Sequence, residues 1–441
     1  MAFVVAPDGT VFEAHRWGLH IEAIEDLPDR LRRMWSRFRH LFRAQCGRDI
    51  SEYAFVYLRA LLTMDRKRNY AEIARRLISI DDDGQNLQQF MSDSPWEVGP
   101  VFKHIQNEIR QIPQMHGGAL TVDERGDRRC GENSAGSSRQ YIGNVGKVDS
   151  GQVGVILGYY QIGIWTMVGA ELYLPEIWFD QGHEELRKRL HVPCDQVFQT
   201  KPQIGLQMVK NAKEHGFPFK SVLCDCVYGC DTEFRAGLDD ENILYMADIR
   251  GHTPVYLNRP TVGIPETPLG RQGRPFSKSR VLSNDCPVEP RSLVREMLPV
   301  NVRHTERGLL TFKCAARRVW TVTKDAKVRQ EWLFIKQEAD DKFKFSLSNA
   351  PETTSLTELA QLRCQRYFVE RTIEDAKSEL GWDELEARKY RAWMHHAALV
   401  AVALWFAAEV KIDWAQQYPR DPQVAKQLQL EVLPALSTAN I

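Results

Sequence analysis

The stretch Arg363-Cys-Gln-Arg-Tyr-Phe-Val-Glu-Arg-Thr-Ile-Glu-Asp-Ala-Lys-Ser-Glu-Leu380 decides how this chain is read. Ser355 and Glu358 form a capping box ahead of it, no Gly or Pro interrupts it, and Gly381 follows it, so the segment reads as one helix. At about 100° per residue, Arg366, Glu370 and Lys377 share a face, and one carboxylate is flanked along the axis by two cations. Such a face suits either a solvated set of ion pairs or a site for phosphate and metal.

Two further carboxylates favour the second. Asp123 follows the apolar run Ala119-Leu-Thr-Val122 and precedes a stretch, Glu124 to Ser138, without helical or strand pattern, which places it at a strand end. Asp225 lies inside the apolar strand Ser221–Gly229, after a helix at Lys201–His215 that stops at Gly216. An acid buried unpaired in such a run is costly, so a cation is expected beside it. Asp123, Asp225 and Glu370, from two strands and a helix, supply the hard oxygen donors that suit Mg²⁺ or Mn²⁺. Two such ions activate an attacking oxygen and stabilise a leaving one in phosphoryl transfer.

At these residues the chain resembles the DDE transposases of insertion sequences, most closely the insertion-sequence 701 family. The resemblance rests on Val-Asp-Glu at 122–124, Arg-Gln-Tyr at 139–141, Gly-Lys at 146–147, Gln-Val-Gly-Val at 152–155, Leu-Pro-Glu at 174–176 and Phe-Gln-Thr-Lys-Pro at 198–202. It continues through Asp225 with Tyr228-Gly229, Leu347-Ser-Asn-Ala-Pro351, Glu370 to Lys377, Gly381-Trp-Asp383 and Glu386-Ala-Arg388, ending near His396. It implies an α/β protein with an RNase H-like catalytic core, a mixed sheet flanked by helices, in which Asp123, Asp225 and Glu370 bind two Mg²⁺ ions, with Mn²⁺ as substitute. Arg366 and Lys377 match the family's basic positions around the glutamate. The implied partners are double-stranded DNA, as transposon ends and target, and a second copy of the chain in the synaptic complex. The implied chemistry is hydrolytic nicking at the ends, then attack of the freed 3′-hydroxyl on target DNA.

There are departures. Asp127-Arg128-Arg129-Cys130 stands where similar proteins carry a hydrophobic residue and paired lysines, and Arg363 stands where tyrosine is common. Arg128 and Arg129 keep basic character near the first aspartate, while Asp127 adds an acid, and Lys147 joins them as a candidate DNA contact. Glu374, one turn from Glu370, competes for the third acidic role, but only Glu370 keeps the spacing to both Arg366 and Lys377.

The 441 residues are 43% hydrophobic and 26% charged with zero formal net charge, enough for two or three domains. A DNA enzyme with no net charge must arrange its cations locally. In the N-terminal part Arg30, Arg32, Arg33, Arg37, Arg39, Arg43 and Arg48 interleave with apolar residues, and Arg66-Lys67-Arg68 follows. Residues 1–115 therefore read as an all-helical DNA-binding domain, with Arg32, Arg33, Arg37, Arg66, Lys67 and Arg68 as phosphate contacts. Residues 116–240 read as the first part of the core and 353–441 as its closing helices. Residues 241–352, with Pro and Gly between Pro254 and Pro275 and then β-like runs, read as a β-rich insertion between the second and third carboxylates. Trp320 and Trp332 within it are candidates to stack on an unpaired base or to pack the insertion. Ala397–Ala408 is too short and too close to Lys411 and Asp413 for a membrane span, and reads as a helix closing the core. Nine cysteines without zinc-finger or disulfide spacing suit a reducing cytoplasm, here beside the nucleoid, and no membrane. A catalytically silent DNA-binding protein or another RNase H-like nuclease would share much of this pattern.

Overall fold

The computed structural model describes residues 4–5, 11–12, 20–43, 47–131, 133–143, 145–266, 276–282, 286–305, 308–338 and 342–417. A short antiparallel pair, β1 (Val4–Val5) and β2 (Val11–Phe12), precedes α1 (Ile21–Glu25), α2 (Leu27–Phe38), α3 (Ser51–Thr63), α4 (Tyr70–Leu77), α5 (Gln85–Ser92) and α6 (Val98–Arg110). The first 115 residues are thus helical apart from that pair. Next come β3 (Gly118–Arg128), β4 (Ser138–Ile142), β5 (Lys147–Gln161), β6 (Ile164–Tyr173), α7 (Glu184–Arg189), α8 (Lys201–Glu214), β7 (Phe219–Cys224), α9 (Cys226–Gly229), α10 (Thr232–Asp240) and β8 (Leu244–Ile249). Then follow β9 (Val262–Gly263), β10 (Arg280–Val281), β11 (Leu298–Thr305), β12 (Gly308–Val322), β13 (Val328–Gln337), β14 (Phe343–Ser348), α11 (Leu356–Cys364), α12 (Tyr367–Ser378) and α13 (Tyr390–Gln417). Of the Pro- and Gly-rich stretch ending at Pro275, residues 267–275 lie outside the described residues.

Ten strands form one mixed sheet in the order β11-β12-β13-β14-β8-β7-β3-β5-β4, with β6 also on β5. β3, β7 and β8 run parallel, and the other pairings are antiparallel. The β5–β6 hairpin turns through Ile162 and Gly163, both at positive φ, the twist that suits a two-residue connection. The helix before β7 starts on a capping box of Thr200 and Gln203 and ends at Gly216 in the left-handed region.

Three expectations change. β3 does not stop at Asp123 but runs to Arg128, because β5 pairs with it over its length, Arg128 lying opposite Gly151. β7 ends at Cys224, and Asp225 instead caps α9, its carboxylate accepting from the Val227 N–H at 2.9 Å. That also moves Cys226 off the strand. The single helix expected across Arg363–Leu380 is two, broken at Gln365 and Arg366. The two halves serve different cores: Leu359 and Ala360 pack with Val300, Val302 and Phe334, whereas Ala376 and Leu380 join the main core. β11–β14, the strands between the second and third carboxylates, continue the central sheet through the β14–β8 pairing.

The N-terminal helices are likewise not separated from the rest at residue 115. Phe38, Tyr57 and Trp96 share one apolar cluster with Val155 of β5 and with α13, which is buried along nearly its whole length. Among the described residues no helix is long and apolar enough to cross a membrane.

A buried ion pair joins the outer strands to the centre. Arg235 of α10 donates to Glu331 of β13 at 3.1 Å and also to the Gly229 carbonyl, while Tyr245 and Thr321 both donate to Glu331. Glu331→Leu should leave Arg235 charged and unpaired at a cost of about 3–5 kcal/mol, and Arg235→Met in the same chain should recover much of it. Urea unfolding midpoints of the two single variants and the double variant check this; additive losses would remove the pair from its structural role.

Candidate active site

Register places the acids. Val122 on β3 lies beside Cys224 on β7, which lies beside Ala247 on β8. The next residue on each strand or at its end is an aspartate, so Asp123, Asp225 and Asp248 form a row across three neighbouring parallel strands about 4.8 Å apart. Gly229 permits this closeness: a Cβ there would strike the Asp248 carbonyl, so any larger residue would push α9 and Asp225 away from β8.

Two arginines from the break between α11 and α12 answer the row. Arg363 donates to Asp248 at 2.7 Å and to Ser346 at 3.2 Å, and Ser346 donates to Asp248 at 2.6 Å. Arg366 reaches Asp248 at 3.3 Å, Glu370 at 3.5 Å and Asp123 at 3.8 Å, and only 13% of its side chain is exposed. Burial opposes its charge, but Asp248, Asp123, Glu370 and Asp225 together raise its pKa.

The acids feel the reverse. Asp123 is 15% exposed, and burial pushes its carboxyl up to about 7, Arg366 pulling it down and Asp225 pushing it further up. Burial also raises Asp225, against Arg366 and the Val227 N–H. Beside them Glu124 is paired with Lys201 at 2.6 Å. Two desolvated, mutually repelling carboxylates with only hard oxygen donors suit a divalent cation, which would favour their charged forms. Glu370 sits on the first turn of α12 with 57% of its side chain exposed. Among the described residues, no three His, Cys, Asp or Glu side chains converge closely enough to hold a metal, because Arg366 stands between Glu370 and the aspartates.

The remaining expected contacts are scattered. Lys377 faces Asp383 at 3.6 Å. Arg128 and Lys147 are exposed and share Asp149, at 3.1 and 3.8 Å, Arg128 roughly 16 Å and Lys147 roughly 30 Å along the sheet from the level of Asp123. Arg129 is half-buried on Gln152, and Asp127 is not a free acid beside the site but a buried partner of Arg125 at 2.9 Å. Arg37 is held by Glu108 and Glu409, and Arg68 is 4% exposed on Glu384, so these two of the N-terminal cations are turned inward. Arg32, Arg33, Arg66 and Lys67 stay on the surface, the first three beside Asp29, Asp26 and Asp65. Trp320 is half-buried with Arg259 over its ring at 5.5 Å, and Trp332 donates to the Pro351 carbonyl at 3.0 Å. Glu374 pairs with Arg371 at 3.0 Å, away from the aspartates' arginine.

Sequence reasoning missed Asp248, although Leu244-Tyr-Met-Ala-Asp-Ile249 carries the signal that singled out Asp225, an acid in an apolar strand.

Asp123 within β3, Asp225 just past β7 and Asp248 on β8 set a row of acids under two arginines, a donor set whose chemistry suits phosphate and metal. Residues 40–308 match the family described as DDE superfamily endonuclease, and the chain belongs to it. It is also similar to a protein of Microchaete diplosiphon called "Probable transposase for insertion sequence element IS701", at 27% identity over 338 residues, 76% of this chain and 77% of that one.

The raised Asp123 pKa has a consequence for the metal-free fold. A carboxyl whose folded pKa exceeds its unfolded value of about 3.9 destabilises the fold once ionised, so stability is lost as pH rises through about 7. Asp123→Asn should therefore be more stable than the parent by about 1–3 kcal/mol at pH 8 in EDTA, and equal to it near pH 4. Urea unfolding at the two pH values measures the difference; the same difference at both would show that ionised Asp123 costs the fold nothing.

Proposed function

We propose that this chain is a DNA transposase that cleaves at the ends of an insertion element and joins them to target DNA. The observation that carries this is the aspartate row under Arg366 in a member of the DDE endonuclease family. The transposase relative supports the substrate. The strand order β6-β5-β3-β7-β8, three antiparallel strands and then two parallel to the first, supports an RNase H-like core.

Asp123, Asp225 and Glu370 are the acidic set in this reading. DDE endonucleases in general use divalent metal, and we assign Mg²⁺, two ions, with Mn²⁺ as substitute. Bound there, the metal would supply charge neutralisation at the scissile phosphate and a more acidic attacking oxygen. Asp123, within β3, and Asp225, at the cap of α9 just past β7, would hold it. Glu370, on a first turn beside a helix break, would join the pair only with Arg366 displaced from its present contacts with Glu370 and Asp123. Arg366 then faces the charge that builds on the phosphoryl oxygens.

In the first step water attacks phosphorus and the bond to the 3′-oxygen breaks, leaving a 3′-hydroxyl and a 5′-phosphate. In the second, that hydroxyl attacks a target phosphodiester, and the target's own 3′-oxygen leaves, so bonds are exchanged without an external energy source. Paired ends require two copies of the chain, and Arg32, Arg33, Arg66, Lys67, Arg128 and Lys147 are assigned to duplex phosphates outside the site.

Cleavage and strand transfer on DNA carrying the element's own ends, with Mg²⁺, is the test. Asp123→Asn, Asp225→Asn and Glu370→Gln should each lower both steps by about 10³-fold or more while end binding persists. Full activity in Glu370→Gln with loss in Glu374→Gln would move the third role one turn along α12. Wild-type protein that binds ends and never cuts would overturn the enzymatic reading.

A further inference from the structure

Tyr228 lies on α9, three residues after Asp225, and is wholly buried. Its ring sits where α8 crosses β3. A Cβ added at Gly205 of α8 would come within 2.7 Å of the Val122 side chain and 3.1 Å of the Tyr228 ring. The phenol therefore lies beside the residue that precedes Asp123. It also meets Phe234 of α10, their ring centroids 5.6 Å apart.

Packing explains the ring and leaves its oxygen unexplained. The Tyr228 hydroxyl is buried and has no hydrogen-bond partner among the described residues. A buried hydroxyl without a bond costs stability, and phenylalanine would fill the same space without that cost. The polar groups around the hydroxyl are acids. Burial, and then the charges of Glu124, Asp123 and Asp225, push its phenol well up, so it stays a protonated donor among them. Glu124 already has Lys201 on it at 2.6 Å. Asp123 accepts from the Glu124 N–H at 2.7 Å and Asp225 from the Val227 N–H at 2.9 Å, which leaves both carboxylates with lone pairs to spare.

From this we infer that Tyr228 is a positioning residue for the two aspartates: with a divalent cation on Asp123 and Asp225, its hydroxyl donates to a carboxylate oxygen turned away from the cation. The inference rests on the reading of Asp123 and Asp225 as metal ligands. A carboxylate that gives one oxygen to a cation is kept in orientation by a donor on its other oxygen, and loss of such a donor weakens metal binding without touching the ligands themselves. Tyr228 acts from the same short helix that Asp225 caps, so the donor and one of its acceptors move together.

The test titrates Mn²⁺ alone into the full chain by calorimetry, for wild type, Tyr228→Phe and Asp225→Asn, and measures urea unfolding midpoints of the same proteins in EDTA. Tyr228→Phe should raise the Mn²⁺ dissociation constant about tenfold, and Asp225→Asn should raise it further. The midpoint of Tyr228→Phe in EDTA should equal or exceed that of wild type, because only an unbonded oxygen has been removed. A hydroxyl with a purely structural role predicts the reverse, a lower midpoint and an unchanged affinity. Either a lower midpoint in EDTA or an unchanged dissociation constant in Tyr228→Phe would overturn the assignment. Mn²⁺ binding weakened by Asp225→Asn and untouched by Tyr228→Phe would sink Tyr228 alone, whereas a wild type that binds no Mn²⁺ would sink the metal reading and this assignment with it.

Discussion

Three aspartates level with one another, two on parallel strands and one at the helix cap just past the strand between them, cannot all be charged and buried without compensation, and the architecture around β3, β7 and β8 answers that constraint. The compensation comes from Arg363 and Arg366, one at the end of α11 and the other just before α12. The break beside them lets α11 and α12 cover two different apolar cores. It also leaves Glu370 on a first turn, the least rigid part of a helix.

Arg363 is where this chain departs from its resemblance, and the structure gives the departure a partner. Asp248 accepts from Arg363, Arg366 and Ser346, so it is the fully satisfied member of the row. Asp123 and Asp225 are satisfied less well, with Arg366 as a distant cation and single backbone N–H groups, and both titrate high. The division separates an acid that holds arginines in place from a pair with coordination to spare. Tyrosine at 363 could donate one hydrogen bond to Asp248 but no charge, so more of the positive field would be left to Arg366 alone.

The sequence made much of this legible. Apolar runs marked the strands, Thr200 with Gln203 and Ser355 with Glu358 marked helix starts, and acids in apolar surroundings marked Asp123 and Asp225. What it hid was non-local. The extension of β3 past Asp123 depends on pairing with β5, and its polar residues Glu124, Arg125 and Asp127 find partners in Lys201, in each other and near Asp383. The merging of β11–β14 with the central sheet depends on one antiparallel pairing of β14 with β8. The break at Gln365 carries no Gly or Pro, because tertiary packing imposes it rather than local propensity. Asp248 was visible by the rule that found Asp225, but its partners lie about a hundred residues away.

Net charge acquires a meaning from the same bookkeeping. The chain has as many acids as bases, and several N-terminal arginines that looked like a phosphate-binding face are used internally. Arg30 is held by Asp26, Asp413 and Gln417, Arg37 by Glu108 and Glu409, and Arg68 by Glu384. These pairs tie the N-terminal helices to α6, to α13 and to the loop after α12, which is why the helices share the core's apolar cluster instead of forming a separate lobe. Arg32, Arg33 and Arg66, by contrast, stay exposed beside Asp29, Asp26 and Asp65. A chain neutral overall thereby uses much of its positive charge to hold its own elements together, and phosphate binding falls to the cations left outside those pairs.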